Sequence, residues 1–342
     1  MLRRMTAAVA LVLTSLVVAA HPAAACGGLV GENGTIELVR TSTLAAYSDG
    51  VERYVTAFEF SGEGEQVGSI VPLPDVPTEV VRGGDWTLQR LAQEVTPPSP
   101  NDARLSAAEA GADVLLETQI DALDITVLRG GGDEVGQWAV DNGFLLTPDA
   151  PEVLDYYAER SPVFMAARFD AARAEQLGQG VGDSTPIMAT IPTDDPWVPV
   201  RILALGLDGS QTVEADVFML TEAKPALLIG GRGMTVERSE PASDVLLSDL
   251  RSDVGMEWVP NDMWLSYLKV DAPAAELDYD LAASTTPDER PAPADAGVEA
   301  TDTLPLHPAA GVPVWPFATA GLVLLAVISR RVAGAANDLA DQ

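Results

Sequence analysis

Ser266 and Lys269 are spaced as in S-x-x-K, the device in which a lysine activates a serine nucleophile. The Lys-Thr-Gly triplet that accompanies this pair in penicillin-recognising enzymes is absent from the chain, and a pattern with two fixed positions in four arises often by chance. Carboxylates offer a second chemistry. With 51 Asp and Glu in 342 residues, acid pairs for glycoside hydrolysis abound, and only geometry singles one out. A pocket gathering acids beside Trp197, Trp258 or Trp264 would support a hydrolase, because sugars and peptides stack on aromatic rings. Scattered acids around buried tryptophans would support a binding domain. Asp194-Asp195 in PTDDPW offers oxygens to calcium, but no spaced D-x-D-x-D-G loop exists. Asp208-Gly209-Ser210 looks like half of an aspartic protease site and has no second copy. Gly130-Gly131-Gly132 precede a helix as a phosphate-cradling loop does, but Asp133 and Glu134 stand where the phosphate would sit. Gly230-Gly231-Arg232-Gly233 has no helix after it and reads as a turn.

Composition removes other chemistries. The two histidines, His21 and His307, fall outside the expected fold, so a zinc site, a Ser-His-Asp triad or a Cys-His dyad cannot form within it. The lone cysteine, Cys26, forms no internal disulfide. No catalytic, cofactor-binding or metal-ligating residue is therefore assigned, and the expectation is no cofactor. The formal net charge is −31, which argues against nucleic acid as a partner, since phosphate attraction dominates that affinity. The acids are scattered singly, the pattern of a solvated surface suited to salt or high pH rather than of a cation site.

The elements that must position any site follow from periodicity. Residues 35–47 and 51–60 alternate apolar and polar around Ser48-Asp49-Gly50, which predicts a β-hairpin. GSIVPLPDVP (68–77) continues as a strand, with its prolines forbidding central pairing beyond Val71. Asp85 is placed to cap a helix over 86–95. A strand at 122–130, helices at 131–143 and 151–159 and a strand at 163–170 give the order β-α-α-β. Strands are expected at 185–192, 198–207 and 211–220, the last two joined as a hairpin through Asp208-Gly209-Ser210; residues 242–252 read as a helix, and 263–270 fit either geometry. The fold class expected is α+β, a largely antiparallel sheet with short helices, plus one C-terminal transmembrane helix.

The ends carry targeting signals. Residues 1–25 read as a signal peptide: Arg3 and Arg4, an apolar stretch from Ala7 to Ala20, and a small-residue site at Ala23-Ala24-Ala25. Cys26 would then begin the mature chain, where lipidation is an alternative to a free thiol; Ala23 stands where such signals usually carry Leu. Residues 26–281 form the extracytoplasmic domain, and 282–311, rich in Ala, Pro, Thr and acids without an aromatic, read as an extended linker. Residues 312–329 are uncharged and, at ~1.5 Å per residue, span roughly 27 Å of a hydrocarbon core about 30 Å thick. Arg330 and Arg331 put the short tail, 330–342, in the cytoplasm and the N-terminal domain outside. From Cys26 to Val312 the chain carries 49 acids against 16 bases.

Several blocks resemble a bacterial family known as domain of unknown function 2330. They are Ala25 to Gly28 (ACGG), residues 55–77, 138–169 and 187–220, and the Tyr267-Leu268-Lys269 element. The resemblance implies an envelope protein with a signal peptide, often a C-terminal membrane segment, and no established activity. Members commonly carry a second cysteine a few residues after ACGG, where Leu29-Val30-Gly31 stand here. The function expected is a single-pass membrane-anchored extracytoplasmic domain that binds a partner or organises the cell envelope without catalysis. The alternative is an envelope hydrolase using carboxylates or, less favoured, Ser266 with Lys269.

Overall fold

The computed structural model describes residues 28–31, 41–58, 66–96, 117–179, 185–194, 196–229, 233–286 and 288–298. Its first half runs β1 (Gly28–Gly31), β2 (Thr41–Ser48), β3 (Val51–Phe58), β4 (Gln66–Pro72), β5 (Glu79–Arg82), α1 (Thr87–Val95), β6 (Glu117–Ile120) and β7 (Leu123–Arg129). Next come α2 (Gly132–Asp141), α3 (Ala150–Arg160), β8 (Val163–Asp170), α4 (Ala171–Leu177), β9 (Thr185–Pro192) and β10 (Trp197–Val198). The remainder is β11 (Thr212–Thr221), β12 (Ala226–Ile229), β13 (Met234–Pro241), α5 (Asp244–Ser252), β14 (Trp264–Pro273) and β15 (Leu281–Ser284). The fold is α+β with mostly antiparallel sheets and short helices. The expected signal peptide, Cys26, both histidines, the span 312–329 and the tail lie outside the described residues. Among the described residues no helix is long and apolar enough to cross a membrane.

A seven-stranded sheet in the order β13-β14-β11-β2-β3-β9-β5 organises the domain, antiparallel except between β11 and β2. Its centre is the expected hairpin: Ser48 lies opposite Val51, and Asp49 and Gly50 take φ of 54° and 72°, the two-residue turn that matches strand twist. One face packs on α1 and α5 through Leu88, Leu91, Leu246, Leu247 and Leu250. The other meets a five-stranded sheet, β1-β4-β8-β7-β6, in a core where Tyr54, Ile187 and Val217 join Val71, Ile125 and Met165. On the outer face of that second sheet Phe144, just after α2, fills the space above Gly68, where a Cβ would collide with its ring. Every residue of β2 is buried, so the sheet is covered on both faces.

Four expectations are corrected. The expected strand at 198–207 is only β10 followed by a 3-10 turn, Arg201–Ala204. Pro199 has no N–H for a ladder, and the Asp280 carboxylate takes the Val200 and Arg201 N–H groups at 2.7 and 3.0 Å, turning the chain away. Asp208 still makes a local turn, accepting from Ser210 N at 3.0 Å, but β11 pairs with β14 and β2 instead of closing a hairpin. The α1 N-terminus is not capped by Asp85, which pairs with Arg82; Asp253 accepts from Asp85 N, Trp86 N and Thr87 Oγ1 at 3.1, 3.0 and 2.8 Å. The linker does not start at 282: β15 joins β10 and β12 in a three-stranded sheet, and Ala296 and Val298 are buried. Small side chains let this segment lie close to the body, which its composition disguised. Residues 281–298 are called the strap below.

Candidate functional site

An open cleft of about 770 Å³ lies between the strap and the ends of β3, β9 and α3. The body contributes Gly50, Asp75, Glu159, Arg160, Asp194 and Trp197 to its wall, and the strap contributes Ser284, Thr286, Glu289, Arg290 and Asp295. Five carboxylates thus face two guanidiniums.

Asp280 fastens the strap beside this cleft. It is fully buried and accepts from Tyr157 Oη at 2.8 Å, from the Val200 and Arg201 amides, and from the Arg160 guanidinium. Arg160 also donates to the Asp295 carbonyl, Tyr156 Oη donates to the Ala296 carbonyl at 3.0 Å, and Tyr157 Oη accepts from Ile202 N at 2.9 Å. Burial, with the Asp280 charge adding to it, holds the Tyr157 hydroxyl well above its ordinary range. Arg160 lies 4.2 Å from the Trp197 ring centre, and Tyr157 stacks on the same indole at 5.8 Å and 14°. A buried carboxylate with this many donors is a satisfied structural anchor.

Glu52 is the opposite case. It is fully buried, and no donor reaches hydrogen-bond geometry with either carboxylate oxygen among the described residues. Strand alternation places it with Tyr54 on the face packed against the second sheet, opposite Tyr47 on β2 and Ile191 on β9. Burial pushes its carboxyl up to about 8, and the nearby Trp197 backbone N–H opposes that shift.

The residues singled out by sequence do not converge. On β14, residues three apart project to opposite faces: Ser266 faces Ser239 at 3.4 Å between hydroxyls, while Lys269 pairs with Asp271 at 2.9 Å. The Ser266/Lys269 nucleophile is therefore ruled out by the strand geometry. Glu134 folds back over Gly130 and Gly131, where an added Cβ would meet it, so the glycine loop has no room for phosphate. Asp194 reaches the cleft; among the described residues no three Asp, Glu, His or Cys side chains form a metal-sized group. Trp197 stands beside the acids but is 5% exposed and already covered by Arg160 and Tyr157. Arg53 lies 4.6 Å from the Trp258 ring centre, and Trp264 donates to Ser239 Oγ at 2.9 Å with Lys224 5.7 Å from its ring centre. The acids gather as a hydrolase would have them, and the tryptophans are engaged as a binding domain would have them. Sequence reasoning missed Glu52, Arg160, Asp280 and the strap.

Comparison with known proteins gives one family. A model described as uncharacterized protein conserved in bacteria (DUF2330) matches residues 20–245. No curated protein matches the chain. Among solved structures, a crystal structure of baculovirus P35 is similar at TM-score 0.42 and 9% identity, covering 73% of this chain and 98% of that one. A mutated baculovirus P35 after caspase cleavage gives TM-score 0.36 and 8% identity, covering 72% and 99%. Likeness this slight carries no argument about fold or function.

Proposed function

The chain belongs to the DUF2330 family of uncharacterized proteins conserved in bacteria, and from that premise we propose that it is a membrane-anchored extracytoplasmic binding domain whose cleft beside Trp197 takes a cationic segment of another envelope protein. The anchoring half of the reading rests on the charged and apolar pattern of residues 1–25 and on the uncharged stretch 312–329 followed by Arg330 and Arg331. In sequence, 13 residues separate Val298 from the uncharged stretch at 312–329.

The observation that carries the binding half is charge complementarity. The cleft wall holds Asp75, Glu159, Asp194, Glu289 and Asp295 against Arg160 and Arg290, and Arg160 is already committed to Asp280. Lysine or arginine side chains of a partner find fixed carboxylates in such a cleft, and like-charged surfaces are turned away. One observation favours the carboxylate-hydrolase alternative: Glu52 keeps its proton at neutral pH, as a general acid does. It contributes nothing to the cleft wall, however, and so has no surface from which to donate.

Fluorescence anisotropy of a labelled lysine-rich peptide against the full chain in detergent tests the reading. Replacing Asp75, Glu159 and Asp194 by Asn, Gln and Asn is expected to weaken binding at least ~10-fold at constant ionic strength. Unchanged affinity overturns it.

A further inference from the structure

We infer that Glu52 is a protonation-linked latch on the strap: while its carboxyl is neutral the strap stays clamped, and when it ionises β10 shifts, the strap loosens and the cleft wall opens. The latch is independent of what the cleft binds.

The geometry supplies each step. Glu52 lies in the apolar core between two sheets, and among the described residues no side chain partners either oxygen and only the Trp197 backbone N–H lies near, an arrangement that a neutral carboxyl tolerates better than a carboxylate does. The groups around it on each element are Tyr47 from β2, whose hydroxyl donates to the Thr193 carbonyl at 3.1 Å, Ile191 from β9, Tyr54 from its own strand and the Trp197 backbone N–H from β10. Among the described residues no charged side chain pairs with it; Arg160 and Asp280 engage the Trp197 ring and the strap instead. Ionisation therefore leaves the carboxylate two ways to gain solvation, water or movement of its neighbours.

Those neighbours form the cleft wall. Gly50, Pro192, Thr193 and Trp197 border the cleft, and Glu52 sits two residues along the chain from Gly50 and one ladder position from Pro192. β10 is only two residues long, and its pairs Trp197–Ala282 and Val198–Leu281 hold one side of β15. Moving β10 toward solvent opens a path from Glu52 to the cleft and costs few hydrogen bonds. The same move strips the strap of one of its two strand partners. The range over which this acts is set by burial, which brings the carboxyl up to about 8.

Hydrogen exchange of the full chain, read by mass spectrometry between pH 6.5 and 9.5 and corrected for the intrinsic pH dependence of exchange, reads the latch directly. In the unmodified chain, protection over 281–298 is expected to fall at least ~10-fold between pH 7 and pH 9, while α5 keeps its protection. Glu52→Gln is expected to hold the strap's protection constant. Glu52→Leu, which also removes the charge, is the second variant should the glutamine form not fold. Unchanged strap protection in the unmodified chain overturns the latch. So does an equal fall in both neutral variants, or loss of α5 protection in parallel with the strap, which would mean global unfolding.

Discussion

Glu52 binds its proton more tightly in the folded chain than in the unfolded one, because burial raises its carboxyl from 4.5 to about 8. The stability tied to that proton is fully present below about pH 4.5 and is lost progressively up to about pH 8, at about 1.4 kcal/mol per pH unit. Above that range the loss is complete and flat. Glu52→Gln is therefore expected to be more stable than the unmodified chain at pH 8, with the gap closing toward pH 4.5; chemical denaturation of both chains at several pH values checks it. Asp253, unlike Glu52, is well partnered, satisfying three donors at the start of α1. Asp253→Ala is expected to cost about 2–3 kcal/mol in the same experiment, more than an ordinary cap, because the orphaned donors are partly buried. Neither residue was legible in the sequence. Asp85 satisfied the local capping rule, whereas the real cap comes from a residue 168 positions away. Glu52 in VERYVTAF falls on a polar position of the alternation, and alternation alone does not reveal that both faces of a strand are covered.

At the scale of elements, the hairpin β2–β3, helices α2, α3 and α5 and strands β7, β8, β9 and β11 follow from local signals. Ser243 caps α5 by accepting from Leu246 N at 3.1 Å, and Gly143 leaves α2 with φ of 86°. Where distant residues decide the local fold, the reading failed: Asp280 breaks the strand expected at 198–207, and the strap pairs with β10 and β12 despite a linker-like composition. Asp280 joins both failures, so its removal is expected to be severe. Asp280→Ala leaves the Tyr157 hydroxyl, two amides and part of the Arg160 guanidinium without an acceptor, a loss of about 3–5 kcal/mol. Limited proteolysis would then cut first within 281–298. Tyr157→Phe removes one donor to Asp280 and the acceptor of the Ile202 N–H, and is expected to cost about 1–3 kcal/mol. A chain with Asp280→Ala as stable as the original would contradict the clamp.

For the molecule as a whole, the α+β class and the dominance of antiparallel pairing were readable from strand alternation and short turns. The layered arrangement and the cleft were not, because both depend on which sheet faces which and on a strap closing over the end of one. The charge of −31 has its own consequence. Added salt screens repulsion among exposed acids, so stability is expected to rise between low salt and molar salt; a chain equally stable at both would count against a salt-adapted surface. The same charge complicates any test with a cationic probe, since every exposed acid attracts it. The decisive comparison is between two variants of the full chain carrying equal charge, one neutralised at Asp75, Glu159 and Asp194 in the cleft, the other at the remote exposed acids Asp133, Glu237 and Asp262. The cleft account predicts that the first binds a lysine-rich peptide at least ~10-fold more weakly than the second, which stays within ~2-fold of the original chain. Equal weakening in both would show attraction to the surface as a whole and contradict a cleft that binds cations.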